Sequence, residues 1–375
     1  MAAPFSIAVA DDAIDDLRRR LDQTRWPEPE TVEDWTQGVP LGYVQEVCRH
    51  WASDYDWRAA EATLNGFDHF IESIDGLDIH FIDARSPEPD ALPLVITHGW
   101  PGSVVEFLDV IEPLRDPRAN GGDPADAFHV ICPSLPGFGF SGKPTSPGWG
   151  VPKVAEAWIE LMGGRGFERW GAQGGDWGAA VTTAIGGHAD SGCIGIHLNM
   201  PLGRPGPDDE PLDDAERAAM AALAHYAEWD SGYSKQQATR PQTVGYALTD
   251  SPAGQAAWIL EKYWAWTDCD GHPENALDRD RMLDNIMLYW LNATAASSAR
   301  LYWESFGRFR PPPVEVPTGV AAYPKEILPS SPRWCAPLYP DLRRWTVMER
   351  GGHFAAMEQP TSFVDDVRAF FRELR

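Results

Sequence analysis

Gly174-Gly175-Asp176-Trp177-Gly178 follows residues 169–173, which read as a strand. Small residues flank a central nucleophile type on both sides. This is the spacing of a nucleophile elbow, a tight strand-to-helix turn that pushes one side chain out at the top of a sheet. Glycine suits such a turn because the backbone there is strained and closely packed. The central residue is Asp, not Ser or Cys. A carboxylate attacks saturated electrophilic carbon and leaves an alkyl ester. It is a poor choice for a peptidase or a lipase. The plain alternative is a Gly-rich turn whose Asp caps a helix.

Outward from this turn the chain alternates short apolar runs with amphipathic segments. Residues 94–97, 128–132 and 194–198 read as buried strands, with a helical segment around 158–162 between them. Residues 314–322 and 345–348 read as two later strands. Phe363, Val367, Phe370 and Phe371 share one helical face near the C-terminus. The alternation predicts an α/β fold with a mostly parallel sheet and helices on both sides. Upstream, residues 70–74 and 77–84 flank Asp75-Gly76, a hairpin signal. Ile14, Leu17 and Leu21 predict an amphipathic helix over 11–22. Residues 27–70 mix Pro, Trp and charge without clean periodicity and are expected to wrap around the main domain.

The alternation breaks between about 203 and 310. There 212–229, 252–266 and 279–303 read as helices, and Pro311-Pro312-Pro313 marks the return to the sheet. The expected organisation is an N-terminal meander (1–75), a core (76–202 and 311–375) and an inserted helical lid (203–310).

Three further stretches carry chemistry. His98-Gly99-Trp100-Pro101-Gly102-Ser103 follows the strand at 94–97, where the Trp100 amide can point at the nucleophile. The amide of Trp177 is the expected second donor, so that two N–H groups meet the oxyanion of an attacked ester. His98 reads as a ring that ties its loop down rather than as a base. Gly351-Gly352-His353-Phe354 follows the last strand, from which His353 can reach over the sheet top towards Asp176. A carboxylate must orient that imidazole. Glu326 lies one strand earlier; Asp208 and Asp209 are the rival, in a Pro-rich acidic loop that reads as a solvated turn.

Composition narrows the class. The chain has 375 residues, 43% of them hydrophobic, enough for a large α/β core. Its formal charge of −25 argues against nucleic acid and anionic membranes as partners. Five scattered cysteines form no C-x-x-C pair, which disfavours a zinc or redox motif and fits thiols in a reducing compartment. The N-terminus lacks the basic region of a signal peptide, and no run is long enough to span a membrane. A cytoplasmic protein is expected. The 17 tryptophans read mainly as packing, with some left to line a large apolar pocket.

With these motifs in hand, the sequence resembles the microsomal-type epoxide hydrolases in their soluble bacterial form. The matching pieces are HGWPGS (98–103), GGDWG (174–178), DSGY (230–233), TVGYALTDSPAG (243–254), ILEKYW (259–264), SSARLYWES (297–305), VPTGVAAYPKE (316–326) and RGGHFAAMEQP (350–360). IDDLRRRLDQTRWP (14–27) resembles the family's N-terminal meander. The resemblance covers nearly the whole chain, and it implies the α/β-hydrolase fold. It implies Asp176 as nucleophile, His353 as base and Glu326 as the partner of His353. It also implies two lid tyrosines, Tyr233 and Tyr302, that bind the epoxide oxygen. Tyr226, Tyr246, Tyr263 and Tyr289 lie in the same region, and spacing alone does not choose among them.

The expected reaction opens an epoxide to a vicinal diol through a hydroxyalkyl ester on Asp176, with no metal or organic cofactor. The expected partner is a small-molecule epoxide, bulky and apolar or aromatic; a homo-oligomer is compatible with this. Two other readings share the fold. A haloalkane dehalogenase has the Asp nucleophile and often a Trp after it but lacks the paired tyrosines. A non-catalytic binding protein would have a broken triad. A serine esterase is weaker, since no Ser occupies the elbow.

Overall fold

The computed structural model describes residues 2–206 and 211–375. Among these, nine strands form one sheet: β1 (Ala3–Phe5), β2 (His69–Ile74), β3 (Leu77–Ala84), β4 (Leu92–Thr97), β5 (Phe128–Pro133), β6 (Trp170–Gly174), β7 (Cys193–Leu198), β8 (Thr318–Ala322) and β9 (Leu342–Val347). Their order is β1-β2-β3-β5-β4-β6-β7-β8-β9. The β1/β2, β2/β3 and β3/β5 pairs are antiparallel and the others parallel. This is the α/β-hydrolase fold, a mostly parallel mixed sheet with antiparallel strands at its N-terminal edge.

The sheet forms where sequence pattern leaves little choice. Leu94, Val95 and Ile96 in β4 have no exposed surface, so both faces of the strand must be covered, as parallel central strands require. The β2–β3 hairpin turns at Asp75 and Gly76, both with positive φ (48° and 76°), the geometry that an Asp-Gly pair provides. On the C-terminal helix Pro360–Arg372, Phe363, Val367, Phe370 and Phe371 are buried against the sheet.

The structure corrects several expected boundaries. Residues 27–70 contain two helices, Leu41–Ser53 and Trp57–Leu64, besides the start of β2. On the first, Tyr43, Val44, Val47, Cys48 and Trp51 form one buried face. That helical spacing is present in the sequence, masked by polar atoms on its aromatic and thiol members. The strand expected from 314 starts only at Thr318, after Pro317, which lacks a backbone donor. The strand expected at 345–348 is Leu342–Val347. The helix expected over 279–303 is two, Arg279–Leu291 and Ala295–Ser305, broken where Ala293 has φ +47°.

Between β7 and β8 lies the helical insert. The N-terminal segment packs against it. Trp35 stacks on Trp264 at 5.1 Å, Tyr55 donates to Asp284 at 2.8 Å, and Arg279 reaches Glu46 at 2.6 Å. Among the described residues no helix is long and apolar enough to cross a membrane.

Candidate active site

Parallel strands carry their connecting loops out at their C-terminal ends, and adjacent strands bring those loops together. β4 and β6 are neighbours, with Thr97 opposite Gly174, so the 98–103 loop and the 174–178 turn meet. Two glycines make the turn possible. A Cβ on Gly174 would lie 2.2 Å from the Gly178 carbonyl oxygen, and one on Gly178 would lie 1.9 Å from that of Thr97. Gly175 has no such crowding. Asp176 itself starts the helix Asp176–Gly186 with φ +48°, a left-handed conformation that is strained for any residue with a Cβ. The packing of the helix N-terminus against β4 holds it there.

The strained carboxylate is gripped on two sides. The Trp100 N–H donates to Asp176 Oδ1 at 2.8 Å. On the other side, His353 Nε2 lies 3.4 Å from Asp176 Oδ2. The amide of Trp177 makes no hydrogen bond to this carboxylate in the ground state. The 98–103 loop is braced from the helical insert: Asn285 bridges Ser103 (2.7 Å) and the Pro101 carbonyl (2.7 Å), and the Tyr289 hydroxyl donates to the Gly102 carbonyl (2.8 Å). His98 ties the loop down as its sequence context suggested. Its Nδ1 donates to the Gly99 carbonyl, its Nε2 accepts from the Leu135 N–H, and burial pushes its pKa down to about 4.

His353 and Glu326 come together because β8 and β9 are neighbours, with Lys325 bridged to Gly352 beyond the strand ends. His353 Nδ1 lies 3.0 and 3.1 Å from the two carboxylate oxygens of Glu326. The Gly351-Gly352 pair has physical reasons. Gly351 takes φ +104°, and a Cβ on Gly352 would lie 2.4 Å from the Trp266 carbonyl oxygen. That same carbonyl accepts the His353 N–H at 2.9 Å. Burial alone would push the His353 imidazolium down in pKa. The charges of Glu326 and Asp176, with their hydrogen bonds, outweigh it and hold His353 well above its usual value. The rival carboxylates Asp208 and Asp209 lie outside the described residues.

The helical insert sorts its own tyrosines. Tyr233 and Tyr302 are buried beside Asp176 in a cavity of about 670 Å³. Their rings meet at 5.7 Å; Trp100 stacks on Tyr233 at 4.9 Å, and Trp177 meets Tyr302 edge-on at 4.8 Å. Burial holds both phenols well above their usual pKa, so they are neutral donors. The Tyr302 hydroxyl feels Tyr233 and the Trp177 indole but makes no hydrogen bond with either. Of the other four, Tyr246 is 71% exposed, Tyr289 is committed to Gly102, and Tyr263 packs on Phe354 away from the cavity. Tyr226 does line the cavity, and its hydroxyl pairs with that of Tyr233 at 3.0 Å. It sits on a π-helical turn, Tyr226–Asp230, a distortion that no sequence periodicity marks.

Two further features were missed in the sequence. Glu106 lines a second, smaller cavity shared with Asp176, His353, Gln173 and Asn199. That cavity offers about 10 Å³ to the centre of a water molecule, enough for one. Burial, with Asp176 nearby, pushes Glu106 up to about 8, against the opposing pull of His353. No motif announces a lone glutamate in a short helical turn. Second, the larger cavity is walled less by indole than the tryptophan count suggested: Trp177 is joined by Met200, Leu202, Phe306, Phe309 and Leu338.

A fold of this kind recurs in known proteins. The family profile "Epoxide hydrolase N terminus" matches residues 2–107, and "alpha/beta hydrolase fold" matches 93–246. A protein of Stigmatella aurantiaca, itself named only provisionally as an epoxide hydrolase, is 54% identical over 99% of this chain and 85% of its own length. Epoxide hydrolase 1 of Oryctolagus cuniculus is 36% identical over 98% of this chain and 88% of its own. The solved Aspergillus niger epoxide hydrolase superposes with a TM-score of 0.90 at 32% identity, covering 100% of this chain and 97% of that one. The chain belongs to the microsomal-type epoxide hydrolase family.

Proposed function

We propose that this epoxide hydrolase works through Asp176 as nucleophile, His353 as base, Glu326 as the carboxylate that orients His353, and Tyr233 and Tyr302 as acids. The observation that carries the reading is the two-sided grip on Asp176: Oδ1 on the Trp100 amide at 2.8 Å, Oδ2 facing His353 Nε2 at 3.4 Å. The oxygen held by an amide becomes the ester carbonyl, and the other attacks an epoxide carbon. Both phenols line the same cavity and are neutral, so they can bind the ring oxygen and protonate it as the C–O bond breaks. His353 then takes a proton from water, which attacks the ester carbonyl from the small cavity beside Glu106. The Trp100 amide stabilises the oxyanion, with the Trp177 amide as a second donor once charge develops. Collapse releases the diol. The dehalogenase reading loses ground, since it offers no use for two neutral phenols beside the nucleophile.

The cavity supports a bulky, apolar epoxide, on its size and on the side chains of Met200, Leu202, Phe306 and Leu338. We further propose that residues 203–310 act as a lid over a core of 76–202 and 311–375, with 1–75 as a clasp. The argument is that the lid segment supplies both phenols. A cytoplasmic setting is proposed from the five cysteines, all buried free thiols. The test is diol formation by Asp176→Ala: none is expected, and a rate near that of the native enzyme would remove Asp176 from the mechanism.

A further inference from the structure

The ILEKYW run carries a lysine that the mechanism above does not use. Lys262 is 4% exposed. A lysine is rarely buried so fully unless its charge is matched. Among the described residues its close counter-ion is its chain neighbour Glu261, at 2.5 Å. On the protein side the ammonium lies 4.6 Å from the Tyr233 ring centroid and 5.4 Å from that of Trp266. The Tyr233 ring has little freedom to leave that contact. Trp100 stacks on it with an interplanar angle of 10°, and Trp266 meets it at 5.0 Å.

We propose that Lys262 is a positioning residue for Tyr233, its ammonium held against the ring so that it stabilises the negative charge this phenol acquires in opening the epoxide. This rests on the reading of Tyr233 as an acid. In the resting enzyme the cation meets only the quadrupole of a neutral ring. As Asp176 bonds to carbon and the epoxide C–O bond breaks, a phenol proton passes to the ring oxygen. The Tyr233 side chain then takes on phenolate charge, and the attraction grows from charge–quadrupole to charge–charge. An interaction that is stronger in the transition state than before it speeds the step. The phenol is restored when water has split, its hydroxyl going to the ester carbonyl and one proton, by way of His353, to the departing diol. The second proton is released as Asp176 ionises again and returns to Tyr233. Two carboxyls share the field of the ammonium, Glu261 and the half-buried Asp230. Glu261 is 25% exposed, so water screens it, whereas Lys262 and Tyr233 are both buried.

The test is single-turnover kinetics that separates alkylation from ester hydrolysis. Lys262→Met should slow alkylation about ten-fold and leave hydrolysis within about two-fold, a split that loss of packing alone would not give. Lys262→Arg, which keeps a cation over the ring, should recover most of the rate. In a Tyr233→Phe background, where no phenolate forms at this position, Lys262→Met should add less than about two-fold. Glu261→Gln offers a variant with less risk to folding, and it should alkylate at least as fast as the native enzyme. Equal losses from Lys262→Met in the two backgrounds, equal slowing of both steps, or alkylation slowed by Glu261→Gln would each overturn the proposal. If Tyr233→Phe slows alkylation and Lys262→Met does not, only the role of Lys262 falls. If Tyr233→Phe has no effect, the acid assignment falls, and this role with it.

Discussion

The Trp100 N–H and the His353 imidazole hold different oxygens of Asp176, Oδ1 at 2.8 Å and Oδ2 at 3.4 Å. The two contacts fix the plane of the carboxylate and therefore the direction from which it meets an epoxide carbon. Gly99 packs directly against it: a Cβ there would lie 2.1 Å from Asp176 Oδ1. Gly99→Ala should accordingly displace the carboxylate without touching the core. An activity loss of about 10²-fold is expected for a displacement near 1 Å, with an unchanged melting profile. Turnover within a few-fold of the native enzyme would mean that the carboxylate is not positioned by this contact.

In the proposed mechanism Tyr233 and Tyr302 serve the first half-reaction only, so their loss should appear in alkylation. Removing a single donor to a developing oxyanion costs about 2.7–4 kcal/mol when nothing compensates. Here the second phenol remains, so each single Tyr→Phe variant should lose less, and the double variant far more, without accumulating ester. Tyr226, paired with Tyr233 at 3.0 Å, adds a graded check. Tyr226→Phe removes a partner rather than a donor, so its effect should be smaller than that of Tyr233→Phe. A double variant that alkylates at the native rate would reduce both tyrosines to packing.

The pH dependence follows from what holds His353 well above its usual pKa, against burial: the charges of Glu326 and Asp176. With His353 as the proposed base, hydrolysis needs the neutral ring, so its rate constant should climb with pH and level off above the His353 pKa. Alkylation converts Asp176 to a neutral ester and removes one of the two raising charges. The limb for hydrolysis should therefore lie below the His353 pKa of the free enzyme. Glu326→Gln removes the other charge and should move the limb lower still, while slowing the step. Rapid-quench measurements across pH would show this; a hydrolysis rate that declines with rising pH would contradict it.

Asp366 carries a stability prediction. It joins the C-terminal helix to the sheet by accepting from His197 (2.9 Å), Arg344 (2.7 Å) and Thr346 (2.7 Å). Burial would raise its pKa, but these partners win and hold the carboxyl well below its usual range. A depressed folded-state pKa gives stability that is present above the unfolded value and is lost as pH falls through the folded one. Asp366→Asn should cost about 3 kcal/mol at neutral pH, measured by denaturant midpoint, and the gap to the native protein should narrow in strong acid. A pH-independent difference would assign the loss to packing.

The places of Asp176 and His353, the proposed nucleophile and base, were legible because both sit at strand ends marked by glycines with steric reasons: Gly174 and Gly178 around Asp176, Gly351 and Gly352 before His353. Glu326 was legible from its place one strand earlier, since β8 and β9 turn out to be neighbours. Tyr226, Glu106 and Lys262 were not, because each acquires meaning only from a ring or carboxyl distant in sequence. The helix Gly232–Thr239 is nearly polar throughout, so its formation depends on packing against Ala295–Ser305 rather than on any apolar period. The tyrosines were separable only in three dimensions, where one is exposed, one braces a loop and three reach the cavity.

The covalent ester on Asp176 is the central claim, and His353→Gln tests it most directly. Gln cannot take the proton from water, so the first half-reaction should proceed and the second should stall. Intact-mass spectrometry after mixing this variant with an epoxide that the native enzyme turns over should show the protein heavier by one substrate mass, with the adduct on the peptide that contains Asp176. An unmodified protein, for every epoxide that the native enzyme opens, would contradict it.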